Sequence, residues 1–348
     1  MSDSGSAPVR FGVVGFGFGA RYFHTPLIRS SPECELIGIV TRSAERKALV
    51  EHDKPGTGTF ESLRALVDAG VEAVAISTPT ATHTEVTEEA LRLGLAVVCD
   101  KAFALTAGAA RHTVDLADER GLVLSPYQNR RWDSDFRTVQ QLVADGTLGT
   151  VTRVESRFER FAPHAGPGQS GAGSLLDFGS HLADQALMLL GPATAVYAEF
   201  RVRENGLDDD VFVALTHASG ARAQLWGSWS QSAPGPRFRV TGTEATYVLQ
   251  PSDSQEDALL AGKTPATLGD AWGIEPAGSH GTLYRGVTSA PYPTERGRWD
   301  TFYPAFAGAV RGANPPPVDM HDALASMTVL DAARLSAKTG AVVPVVPA

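Results

Sequence analysis

The apolar stretch RFGVVG runs without interruption into GFGFGA, so that Gly15, Gly17 and Ala20 stand at the spacing G-x-G-x-x-G/A, with Phe18 and Gly19 between them. No other junction in the chain restricts its fold as much. A strand that turns at once into a helix needs a residue free to take positive φ, here Gly15. Gly17 lets the backbone approach a pyrophosphate, and Ala20 keeps the helix close to the strand. The first helical N–H groups have no partner in their own helix and face a bound phosphate. The whole loop, Phe18 and Gly19 included, is therefore expected to bind a dinucleotide.

The chain continues in the same rhythm. ELIGIVT (35–41), VEAVAIS (71–77), LAVVCD (95–100) and LVLS (122–125) are short apolar runs separated by amphipathic segments, and a kink is expected near Pro26 in the first helix. This predicts an α/β architecture: after a disordered tail over 1–8, a Rossmann-type parallel-sheet domain over 9–126. Beyond it the pattern changes. TAVYAEFRV, DDVFVALTHASGARAQLWGSWS and RFRVTGTEATYVL are extended segments joined by tight turns at SGA and GTEA. They predict a C-terminal α+β domain over 127–348, built on a largely antiparallel open sheet and serving substrate binding and oligomerisation. Residues 251–298, rich in Gly, Pro and Ser, are expected to be a long, partly ordered loop system. FYPAFAGAVRG and HDALASMTVLDAARLSAKTG are expected to close the second domain as helices.

Composition removes several classes of function. Acidic residues outnumber basic ones by 39 to 30, with no block of Lys or Arg, which argues against nucleic acid or a membrane surface as partner. Cys34 and Cys99 stand alone and far apart, and neither a signal peptide nor a membrane span is expected, which together predict a reducing, cytoplasmic location.

Three strand ends carry the chemistry. At the end of the second, where an NAD site usually has an acid for the adenosine ribose, the chain has Thr41, Arg42 and Ser43. A guanidinium flanked by hydroxyls suits a 2′-phosphate, so NADP is expected in preference to NAD. Beyond the third and fourth strands come Thr78, Pro79, Thr80 and His83, then Lys101, which is placed to reach over the nicotinamide. In GAGSLLDFGSHLADQALMLLG (171–191), Asp177, His181 and Asp184 stand at i, i+4 and i+7, on or near one side of an otherwise apolar helix. No further ligand accompanies them, and a metal site is not expected.

These stretches, with QNRRWDSDF and FYPAFAGAVRGANPPPVDMHDAL, resemble the glucose-fructose oxidoreductase and inositol dehydrogenase (Gfo/Idh/MocA) family over nearly the whole chain, and within it the NADP-dependent inositol and sugar dehydrogenases. The family's E-K-P signature is represented by Asp100, Lys101 and Ala102, and T-P-N-x-x-H by Thr78, Pro79, Thr80 and His83. D-x-G-x-H-x-x-D is met by Asp177, Gly179, His181 and Asp184. The resemblance implies hydride transfer between nicotinamide and an inositol, sugar or keto-sugar, in a homodimer or homotetramer joined through the C-terminal sheet. His181, expected to titrate near neutrality, would take the hydroxyl proton, Lys101 would hold the same oxygen, and Asp177 would orient the network. Arg130 and Asp184 are candidate substrate contacts, as are Tyr284, Trp299 and Tyr303, whose rings suit polyol C–H faces. A reductase of another cyclic substrate, of dihydrodiol or tetrapyrrole type, and a non-catalytic cofactor-binding sensor are the competing readings. The complete Lys, Asp and His set argues against the sensor.

Overall fold

The computed structural model describes residues 7–164 and 172–346. Six parallel strands form the first sheet: β1 (Val9–Val14), β2 (Cys34–Val40), β3 (Gly58–Phe60), β4 (Ala73–Ile76), β5 (Ala96–Cys99) and β6 (Leu124–Pro126), in the order β3-β2-β1-β4-β5-β6. The central strands are apolar at consecutive positions because helices cover both faces: every residue of β4 and β5 is buried. The order reverses between β2-β1 and β4, which opens a crevice at the carboxyl ends of the strands. The expected strands are all present. β3, only three residues long, carries too little periodicity to be read from sequence.

The first helix starts with a π-wound turn, Ala20–His24, and continues as Thr25–Arg29. The irregularity thus lies just ahead of Pro26, which has no N–H to offer the preceding turn. The disordered tail expected over 1–8 falls on 1–6 outside the described residues. The carbonyls of Ala7 and Pro8 accept hydrogen bonds from the Arg311 guanidinium, so these two residues are tied down.

The second sheet has nine strands: β7 (Val151–Glu159), β8 (Ala193–Val202), β9 (Asp208–His217), β10 (Arg222–Ser228), β11 (Phe238–Gly242), β12 (Thr246–Leu249), β13 (Gly281–Arg285), β14 (Thr288–Tyr292) and β15 (Val343–Pro344). Their order is β14-β13-β12-β11-β7-β10-β9-β8-β15, antiparallel except where β7 and β10 run together. Along β9 burial alternates: Val211, Val213 and Leu215 point into the core, while Phe212, Ala214 and Thr216 form a half-covered outer face. Helices Ser180–Leu190 and Met320–Thr339 join the inner core through Leu182, Ala186, Leu330 and Ala333.

Two expectations are corrected. Residues 251–298 are not a loop system: they contain helices Gln255–Leu260 and Pro265–Leu268 and the hairpin β13–β14, which extends the sheet. Helix Phe302–Val310, expected with the second sheet, lies instead against the first. Tyr303 and Phe306 pack on Phe11 of β1 at centroid distances of 5.4 and 5.8 Å, and Phe302 packs on Tyr127. The helix is apolar on nearly every side, so its own pattern does not specify which sheet it covers. Among the described residues, no helix is long and apolar enough to cross a membrane.

Candidate active site

The glycine loop has the geometry a pyrophosphate needs. Gly15 has φ of 90°, and a Cβ there would stand 2.6 Å from the Ser77 carbonyl oxygen, so only glycine makes this turn. A Cβ on Gly19 would meet the Asp100 carboxylate and the Ser77 hydroxyl, each at 2.7 Å. Around Gly17 the nearest atom to such a Cβ is Arg46 Nη1 at 3.6 Å, which leaves the backbone open to approach. Ala20 is buried against the strand, and Phe18 is exposed beside Tyr22 and Phe23. At the end of β2, Thr41 is buried with its N–H on the Phe60 carbonyl, and Ser43 caps helix Ala44–Asp53. Arg42 is exposed and donates from Nε to the Glu61 carbonyl at 3.2 Å. These residues fit a dinucleotide: an open, donor-bearing loop at a helix start, with the Arg42 guanidinium at the end of β2.

The loops after β4 and β5 are fastened to each other. His83 is buried, with Nδ1 2.8 Å from the Ala102 carbonyl oxygen and Nε2 2.9 Å from that of Thr78. Burial opposes its charge, but the Cys99 sulfur, Asp100 and the Ala102 carbonyl outweigh that and raise its pKa to about 9. With both ring nitrogens facing backbone oxygens, His83 ties the two loops together. Thr78 accepts from the Thr82 hydroxyl, Pro79 is exposed and Thr80 is buried. Asp100 Oδ2 accepts from the Ser77 hydroxyl at 2.9 Å and lies 3.3 Å from His24 Nε2, while Oδ1 accepts the Lys101 N–H at 2.8 Å.

Lys101 then reaches the other half of the molecule. Its Nζ donates to the Asp177 carboxylate, and to the Asp177 carbonyl at 3.3 Å. Asp177 sits in a π-wound turn, Leu175–Gly179, from which helix Ser180–Leu190 continues. His181, one turn on, is 4% exposed, with Nδ1 2.9 Å from Gln128 Oε1. Its expected titration near neutrality is corrected. Burial, followed by the charges of Lys101, Arg130 and Arg237, pushes its pKa well below the ordinary value, so the imidazole is neutral at pH 7.

Lys101, Asp177 and His181 are thus brought together, and of the remaining substrate candidates all but Arg130 separate from them. Asp184 faces away: Arg131 holds both its oxygens, at 2.6 and 2.8 Å, and also pairs with Asp322 at 3.0 Å. His181 and Asp184 lie together in the regular part of the helix, and the Asp184 carboxylate is taken up by its buried pair with Arg131. Trp299 and Tyr303 are fully buried. The Trp299 indole donates to Asp133 at 2.8 Å, and the Tyr303 hydroxyl lies 2.6 Å from His24 Nδ1, so neither is open to a substrate. Tyr284 lies on β13, three strands from β7 and next to the edge strand β14 of the second sheet. Arg130 does flank the site. Its guanidinium lies over Phe158, which packs against His181, and is held by Asp133 and Glu256.

Comparison with known proteins decides what this arrangement belongs to. The model of the oxidoreductase family with an NAD-binding Rossmann fold matches residues 9–128, and that of the GFO/IDH/MocA C-terminal domain matches 136–248. The scyllo-inositol 2-dehydrogenase (NADP(+)) IolW of Bacillus subtilis is 30% identical, over 95% of this chain and 94% of that protein. The chain belongs to the Gfo/Idh/MocA family. The oxidoreductase YdgJ of Escherichia coli is 33% identical over 97% of this chain and 98% of its own. A solved oxidoreductase structure from Yersinia pestis superposes with a TM-score of 0.91 at 30% identity, covering 99% of both chains.

Within this Gfo/Idh/MocA oxidoreductase, three residues near the site escape the reading of the sequence. Arg46 donates from Nη1 to the Phe16 carbonyl at 2.6 Å, which brings a second guanidinium to the glycine loop. Its position one helical turn after Arg42 is a legible signal. Gln128 follows the end of β6, where the rule that ligands lie beyond strand ends points. Glu256, which joins Arg130 to Arg160, comes from the segment expected to be loop and has no such signal.

Proposed function

We propose that this oxidoreductase uses NADP and transfers hydride between the nicotinamide and a secondary alcohol or ketone of an inositol, sugar or sugar derivative. The observation that carries the reading is the Lys101–Asp177 contact, which joins the strand end beside the glycine loop to the helix bearing a buried, neutral His181. Bound nicotinamide supplies the hydride acceptor or donor. In the oxidation direction His181 takes the hydroxyl proton at a ring nitrogen, which its neutral state allows at physiological pH. Lys101 donates to the same oxygen and stabilises negative charge as it develops, while Asp177 holds the ammonium in position. Arg42, Ser43 and Arg46 favour the 2′-phosphate, and the NADP dependence stated for the Bacillus subtilis inositol dehydrogenase supports the same preference. An inositol or related polyol is favoured on the same comparison. The two free cysteines favour a cytoplasmic location, and the half-covered outer face of the second sheet favours a homodimer or homotetramer.

The test separates chemistry from binding. His181→Ala should lower turnover on the best polyol by roughly 10²- to 10⁴-fold, the range for a positioned acid–base group, and leave NADP affinity near wild type. Lys101→Met keeps the length of the side chain without its charge and should act likewise. Near-normal single-turnover transfer in both folded variants would reject the mechanism.

A further inference from the structure

We propose that Gln128 is a positioning residue that fixes the tautomer of His181, holding the proton on Nδ1 so that Nε2 is the nitrogen that exchanges a proton with substrate. The inference rests on the reading of His181 as the acid–base group and extends it to a residue on a different part of the chain.

Gln128 is 3% exposed and precedes the turn Asn129–Trp132 at the end of β6. Its two amide ends have different neighbours. The nitrogen lies 3.4 Å from the Ser180 carbonyl oxygen, which can only accept, and the oxygen lies 2.9 Å from His181 Nδ1. Reversing the amide would set its oxygen against the Ser180 carbonyl, so that carbonyl fixes the orientation. An amide oxygen can only accept, and Nδ1 must therefore carry the hydrogen. In a neutral ring that leaves the lone pair on Nε2.

The surroundings keep the ring neutral. The charged groups facing it are Lys101 from the loop after β5, Arg130 from the turn after Gln128, and Arg237 from the approach to β11. From β7 the neighbour is the apolar Phe158. Of the two acids on its own helical segment, Asp177 is engaged with Lys101 and Asp184 with Arg131. A carboxylate at position 128 would hold Nδ1–H equally well, but it would stabilise the imidazolium and make the ring slower to release the proton it takes. An uncharged acceptor orients the ring without shifting it toward the charged form.

The experiment reads the ring directly and then its consequence. In 15N-histidine-labelled protein, the signal lost in His181→Asn identifies His181. At pH 7 it should show a neutral ring protonated at Nδ1. Gln128→Glu should move the acid limb of the oxidation rate upward by about one pH unit or more. Gln128→Leu should lower turnover roughly 10²-fold or more, with the NADP dissociation constant unchanged, because a ring free to adopt the other tautomer presents a proton to the substrate. An Nε2-protonated or charged ring in the wild type, or an unmoved acid limb in folded Gln128→Glu, would overturn the proposal. Near-normal turnover in His181→Asn, with the Nδ1–H tautomer present in the wild type, would instead reject the acid–base role and leave the tautomer assignment standing.

Discussion

At the scale of single residues, the site depends on side chains whose partners decide their chemistry. Asp177 and Asp184 are the same residue type on one helical segment, yet one meets Lys101 and the other is closed around Arg131. Asp184→Asn should therefore act on stability: leaving Arg131 with only Asp322 should cost about 3 kcal/mol in urea unfolding, with single-turnover transfer by the folded protein retained. A selective loss of substrate affinity would contradict this. His83 gives a pH prediction. Its folded pKa of about 9 exceeds the ordinary 6.5, so its contribution is complete below about pH 6.5 and is lost as pH rises through about 9, amounting to at most about 3 kcal/mol. Unfolding midpoints measured from pH 6 to pH 10 should fall along that course in the wild type and lose this component in His83→Asn. Residue type and spacing make Lys101, Asp177 and His181 legible in the sequence. The burial of Trp299 and Tyr303 is not, because it depends on Asp133 and His24, which lie more than a hundred residues away along the chain.

At the scale of elements, legibility follows burial. β4 and β5 are covered on both faces and read as unbroken apolar runs, and β9 is covered on one face and alternates. The hairpin β13–β14 sits at a sheet edge with most of its residues exposed, so neither pattern marks it. Its turn at Gly286, with φ of 57°, is the available sign. Under the proposal that NADP is the cofactor, the junction of β2 with helix Ala44–Asp53 carries the preference: Arg42 stands at the end of β2, and Arg46 reaches the Phe16 carbonyl in the glycine loop. Arg42→Ala and Arg46→Ala should each weaken NADP binding by about 1.5 to 3 kcal/mol and NAD binding much less, as expected for a lost charge-assisted hydrogen bond. Fluorescence titrations with both nucleotides check this, and equal losses for the two would reject a 2′-phosphate role.

At the scale of the whole molecule, the outer face of the second sheet is only half covered. Phe212 and Trp226 are opposed across β9 and β10, with the Arg157 guanidinium 3.9 Å from the Trp226 ring centroid, and none of them is fully covered. Sedimentation of the 36.7 kDa chain at micromolar concentration should give a dimer or tetramer, and Trp226→Glu should shift it toward monomer; a wild type that sediments only as monomer would rule out the assembly. The Lys101–Asp177 contact has a different consequence. One partner is carried by the parallel sheet and the other by the helix over the second sheet, so the ammonium and the imidazole meet only when both halves have folded and docked. Turnover is therefore a coincidence signal for the two halves. In a chain severed between them the first sheet would also lack helix Phe302–Val310, and hydride transfer would return only on reassembly, in proportion to the square of fragment concentration when both are dilute and equal.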